Sequence, residues 1–157
     1  MIKLSKHGSS LQSALYYVRL KTHDSSSLFG SADSAEADYS SLPVSFASIV
    51  AEELLQATLR HRGVQLDQWV IEPNSLHALV SLHEIRPQQE TKGKPRLLTA
   101  FVAELKAATA KRINLMRNQP GSPVWQRSYK EQLVEDDMML FRLQKKLSES
   151  DSCVLSS

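Results

Sequence analysis

The chain has 157 residues, of which 41% are hydrophobic and 23% charged, and a net charge of +2. This is one ordinary globular domain, long enough for a real core and neither disordered in composition nor strongly charged overall. No apolar run approaches the roughly 18 residues that cross a bilayer, the charged start Met1–Lys6 has no apolar stretch behind it, and the lone Cys153 has no disulfide partner. A reducing, cytoplasmic setting is the expectation, with no membrane.

Residues 15–22 are rich in β-formers and alternate apolar with basic toward their end, which predicts a strand. A Ser/Asp/Ala/Gly tract over 24–41 follows and reads as a mobile loop. After Pro43, the spacing of Phe46, Ile49, Val50, Leu54 and Leu59 predicts a helix that Gly63 stops. Val64–Ile71 reads as a second strand and Glu72–Ser75 as a turn. Leu76, Ala78, Val80 and Leu82 alternate with polar residues in a third strand, paired with the second as a hairpin. A polar loop over 86–95 leads to a long helix. Its apolar stripe is Leu97, Leu98, Phe101, Val102, Leu105, Ala108, Ile113 and Met116. Residues 119–123 break it, 124–134 form a fourth strand, and 136–147 a short last helix. This order predicts an α+β, ferredoxin-like split βαβ fold: an antiparallel sheet with helices on one face, plus a C-terminal helix. Residues 1–148 form a single domain, and 149–157 a disordered tail.

Charge is unevenly spread. From Lys92 to Lys130 there are nine basic residues and one acid, Glu104. Such a segment is an electrostatic footprint for phosphates, or a solvated helix face with a loop.

Three segments resemble the REP-associated and insertion-sequence single-tyrosine transposases of the HUH class. Trp69-Val-Ile-Glu-Pro-Asn-Ser-Leu-His-Ala-Leu-Val80 is similar to the family's strand–turn–strand ending in Met-Pro-Asn-His-Val-His-Leu-Leu. Residues Leu98–Asn114 resemble its long basic helix. Pro123-Val-Trp-Gln-Arg-Ser-Tyr-Lys-Glu-Gln132 resembles its Val-Trp-Gln-Arg-x-Tyr-Tyr-x-His signature. Order and spacing agree over about residues 15–148.

The resemblance implies cleavage of single-stranded DNA at hairpin-flanked sites, by a tyrosine that becomes linked to the 5′ phosphate. It also implies a divalent metal such as Mg²⁺ on a His-x-His pair, which polarises the scissile phosphate. Residues i and i+2 of a strand share a face, so that spacing converges two imidazoles on one ion. Here the pair reads Ser75-Leu76-His77, and a neutral hydroxyl is a poor ligand beside imidazole. His83 lies six residues beyond His77, roughly 20 Å along a strand, and cannot substitute. Counting forward from Trp125, the nucleophile's position falls at Lys146, an amine that cannot form a phosphotyrosine link. No tyrosine follows Tyr129, and Tyr129 matches an aromatic to which the family assigns no catalysis.

The expectation is therefore a degenerate family member with no working metal site and no catalytic residue, Ser75, His77 and Lys146 marking the lost positions. It would bind a DNA hairpin or single-stranded nucleic acid through Arg96, Lys106, Lys111, Arg112, Arg117, Arg127, Tyr129 and Lys130. Homodimerisation is left open. The alternatives are an active nuclease using Tyr129 with His77 and a metal, and a non-catalytic protein-assembly module.

Overall fold

In the computed structural model, residues 12–30, 45–84, 95–149 and 154–155 are described. The rest of the 24–41 tract, Pro43, Lys92, Lys94, Cys153 and most of the 86–95 loop lie outside them.

The chain opens with strand β1 (Gln12–Lys21) and a short 3-10 turn at His23–Ser25. Helix α1 (Phe46–Arg60) begins where the Ser45 hydroxyl accepts the Ser48 N–H at 3.0 Å, an N-cap that satisfies one of the donors a helix start leaves open. Its buried stripe is Phe46, Ile49, Val50, Leu54 and Ala57. Leu59, expected on that stripe, is 77% exposed, because a step of five from Leu54 overshoots the helical period while Ala57 keeps it. Gly63 then turns the chain with φ +89°. A Cβ there would stand 2.6 Å from the His83 carbonyl oxygen, so only glycine fits.

Strands β2 (Val64–Glu72) and β3 (Ser75–Glu84) form the expected hairpin, with an irregularity between Leu66 and Trp69. Helix α2 (Arg96–Met116) buries Leu98, Phe101, Val102, Leu105 and Ile113. Strand β4 (Lys130–Leu133) and helix α3 (Asp137–Glu149) follow.

The sheet is antiparallel throughout, in the order β4-β1-β3-β2 plus a short fifth strand, β5 (Val154–Leu155), beside β2. The first four strands with α1 and α2 make the ferredoxin-like split βαβ arrangement. Alternation along the strands sorts the core into two layers. Val18 and Leu20 of β1 and Leu76, Ala78, Val80 and Leu82 of β3 face α1 and α2. Leu15, Tyr17, Val70 and Leu79 face the other way, onto Leu140 and Leu147 of α3. The C-terminal helix therefore roofs the sheet face opposite α1 and α2.

Two boundaries differ from the sequence reading. The fourth strand begins at Lys130 rather than 124, because the carbonyls of Gln126, Arg127 and Ser128 turn to the Lys106 ammonium on α2 (2.7, 3.1 and 3.4 Å). Only an isolated bridge between Thr22 and Trp125 continues the pairing. The tail, expected to lack order over 149–157, places β5 along the β2 edge, where it meets backbone groups that an edge strand otherwise leaves open.

Candidate functional site

The β2–β3 hairpin sets the first side chains of the site. Glu72 and Ser75 are directly paired across its two-residue turn. Ser75 and His77 point to the α3 face with Leu79, and on neighbouring β1 Tyr17 and Arg19 share that face, Arg19 standing opposite His77.

Tyr17, His77, Ser75 and Glu72 form one hydrogen-bonded network, buried at Tyr17, Ser75 and His77 and part-buried at Glu72. The Tyr17 hydroxyl lies 2.7 Å from His77 Nδ1, with the two rings stacked at 6.0 Å. His77 Nε2 lies 3.1 Å from Glu72 Oε1 and 2.9 Å from Ser75 Oγ, and Ser75 Oγ lies 3.2 Å from the same carboxylate oxygen. A carboxylate only accepts, so the arrangement that satisfies every atom has the Nε2–H of His77 and the Ser75 hydroxyl donating to Glu72. The Tyr17 O–H then donates to Nδ1. Burial lowers the pKa of His77, against the opposing pull of Glu72, while the charges of Lys146 and Arg19 push the same way as burial. Burial likewise raises the Tyr17 phenol above its ordinary 10.0. Lys146 reaches over from α3, its ammonium 6.0 Å from the Tyr17 ring centre.

The fold thus brings together Ser75, His77 and Lys146, the positions marked in the sequence as degenerate. Sequence reasoning missed Tyr17, Arg19 and Glu72. The i, i+2 spacing of Tyr17 and Arg19 was visible, but the register that sets them against His77 was not. Glu72 read only as part of a turn.

The donors around His77 differ from the His-x-His pair that the resemblance implies. Both His77 nitrogens are engaged, the second histidine is a hydroxyl, and two cationic side chains act on the imidazole. No group of three His, Cys, Asp or Glu side chains suited to a metal occurs among the described residues.

Tyr129 lies on the other side of the sheet. It packs on the core beneath α1 and α2, its hydroxyl 3.5 Å from Thr99 Oγ1, and burial raises its pKa. It cannot reach His77 through the sheet.

The basic residues predicted on α2 and after it divide by their surroundings. Lys106 holds the carbonyls of Gln126–Ser128 and stands 5.9 Å from the Tyr129 ring centre. Arg112 pairs with Glu52 and Glu53 of α1, both at 3.0 Å, and those carboxylates, Glu53 foremost, raise its pKa. Arg117 caps α2, donating to Asn114 Oδ1 and the Pro123 carbonyl. Arg96, Lys111, Arg127 and Lys130 are exposed, and Lys130 stands beside Arg19 in the sheet register. Trp125 of the Trp-Gln-Arg segment is a core residue, its indole N–H donating to Thr109 Oγ1 at 2.8 Å and its ring 5.3 Å from Phe29. No helix among the described residues is long and apolar enough to cross a membrane.

No family model matches the sequence, and no curated protein matches it. Among solved structures, the chain is similar to a proposed transposase from Deinococcus radiodurans, with a TM-score of 0.55 and 17% identity over 92% of this chain and 95% of that one. It also matches the structure of a REP-associated tyrosine transposase bound to a REP hairpin, with a TM-score of 0.49 and 11% identity. That match covers 83% of this chain and 61% of the other, so the chain spans about three fifths of that protein's length. What the likeness establishes is the fold: the chain is built, nearly end to end, on the α+β architecture of the Deinococcus protein.

Proposed function

We propose that this protein is a transposase-related nucleic-acid-binding module of the REP-associated single-tyrosine class, working in the cytoplasm, that binds hairpin or single-stranded nucleic acid without cutting it. The observation that carries this reading is the convergence of Ser75, His77 and Lys146 in one pocket beneath α3. What supports the reading is that the residues there are an acid–hydroxyl–imidazole network with a lysine above it, rather than the two histidines and the tyrosine that the resemblance implies. The REP-hairpin complex of the second structural neighbour fits the substrate class by its name alone. The nuclease that would use Tyr129 with His77 loses support, since the two side chains lie on opposite faces of the sheet.

Fluorescence anisotropy with a labelled DNA hairpin carrying a single-stranded flank tests this. Binding should weaken as salt rises, with a log–log slope of about −0.7 for each phosphate contacted on the single strand. A protein that binds no hairpin at low salt would instead be an assembly module.

A further inference from the structure

The pocket beneath α3 carries its own positive charge. Arg19 and Lys146 both act electrostatically on His77. Lys130 stands next to Arg19 across the β1–β4 pairing, and Lys21, opposite Ser75, shares the face. The one carboxylate in the network, Glu72, is already engaged by Ser75 and His77. With His77 neutral, Arg19, Lys146 and Glu72 leave a net positive charge before Lys130 is added.

One atom in this cluster is unaccounted for. The Arg19 Nε is shut off from solvent and has no hydrogen-bond partner, the only such side-chain atom found among the described residues. A buried donor without a partner is destabilising, so it calls for an explanation. Arg19 as a residue is half-buried rather than sealed. Guanidinium groups grip oxyanions side-on, Nε–H and one Nη–H donating to two oxygens, which is the geometry of a phosphate.

We infer that this pocket takes a nucleic-acid phosphate directly on Arg19 and Lys146, with no metal ion between them. The two side-chain cations stand in for the charge a divalent ion would supply, and the phosphate oxygens complete the bonding of Arg19 Nε. Lys130 and Lys21 extend the same face toward adjoining phosphates. The nucleic acid then lies against the α3 side of the sheet and not along α2, where Lys106, Arg112 and Arg117 are tied to the protein itself. This rests on the nucleic-acid reading above and adds the place and the chemistry of contact.

Two measurements in the presence of EDTA test it. First, a thymidine dinucleotide, which carries a single phosphodiester, is titrated into ¹⁵N-labelled protein. The Arg19 Nε–H resonance, assigned by its loss in Arg19→Gln, should shift and saturate with no divalent ion present. No shift, or a shift only when Mg²⁺ in excess replaces the EDTA, overturns the inference. Second, Arg19→Gln and Lys146→Gln should each weaken hairpin binding roughly tenfold or more, as expected for a lost charge-assisted hydrogen bond. Lys146 is exposed on α3, so its replacement leaves the fold intact even if Arg19→Gln does not. Wild-type binding that survives both substitutions overturns this inference alone. Absence of any wild-type binding overturns the nucleic-acid reading with it.

Discussion

Lys106 was expected from the sequence to meet phosphate, yet its ammonium holds the chain between Trp125 and β4. Lys106→Met separates the two roles, because methionine keeps most of the aliphatic stem and removes the donors. The Gln126 carbonyl, at 2.7 Å, is the shortest and part-buried contact, while those to Arg127 and Ser128 are exposed and open to replacement by water. A hydrogen bond to a charged group contributes about 1.5–3 kcal/mol, and exposure discounts the other two heavily, so a loss of about 2 kcal/mol is expected. In a chain of this size that lowers Tm by about 4–8 °C. Thermal unfolding followed by circular dichroism reads the change, and anisotropy on the same variant reads hairpin affinity. An unchanged Tm together with a flatter salt slope would refute the clamp and return Lys106 to the nucleic-acid interface.

Gly63→Ala places a Cβ 2.6 Å from the His83 carbonyl oxygen at a φ of +89°, and urea unfolding should show a loss of about 2–3 kcal/mol. His77 is held neutral by burial, so its pKa in the fold is below the ordinary 6.5. The unfolded chain then binds the extra proton first, and the stabilisation present above 6.5 is lost as pH falls through the folded value. Urea midpoints measured against pH should fall more steeply below that point in wild type than in His77→Gln. Arg112→Ala should flatten the salt slope of hairpin binding by less than Lys130→Ala does. Two carboxylates at 3.0 Å already match the Arg112 charge, whereas one phosphate contact is worth about 0.7 in slope.

The sequence carried most of the element order because those elements announce themselves locally: Pro43 and Gly63 bracket the apolar spacing of α1, and the alternation of Leu76, Ala78, Val80 and Leu82 marks β3. It carried the pocket in part, since Ser75 and His77 belong to one strand face and Lys146 follows from counting along a motif. What it lacked was long-range register. Tyr17 and Arg19 join the pocket only because β1 lies beside β3, a pairing that spans some sixty residues of chain. The same limit explains the basic segment. Density of charge was legible, but Arg112 meets acids on a different helix and Lys106 meets carbonyls twenty residues on, so their commitment to the fold could not be read from neighbours in sequence. The strand that fails to form over 124–129 has the same origin, because the carbonyls of Gln126, Arg127 and Ser128 answer to Lys106 rather than to β1.

The central claim is binding without cutting, and one gel addresses it. The protein is incubated with an end-labelled hairpin strand and Mn²⁺. The shifted complex is isolated on a native gel, and its strand is run under denaturing conditions. A shifted complex that yields a full-length, protein-free strand is the predicted result. A shortened strand, or one that stays linked to protein in wild type and is freed in Tyr129→Phe, would contradict it.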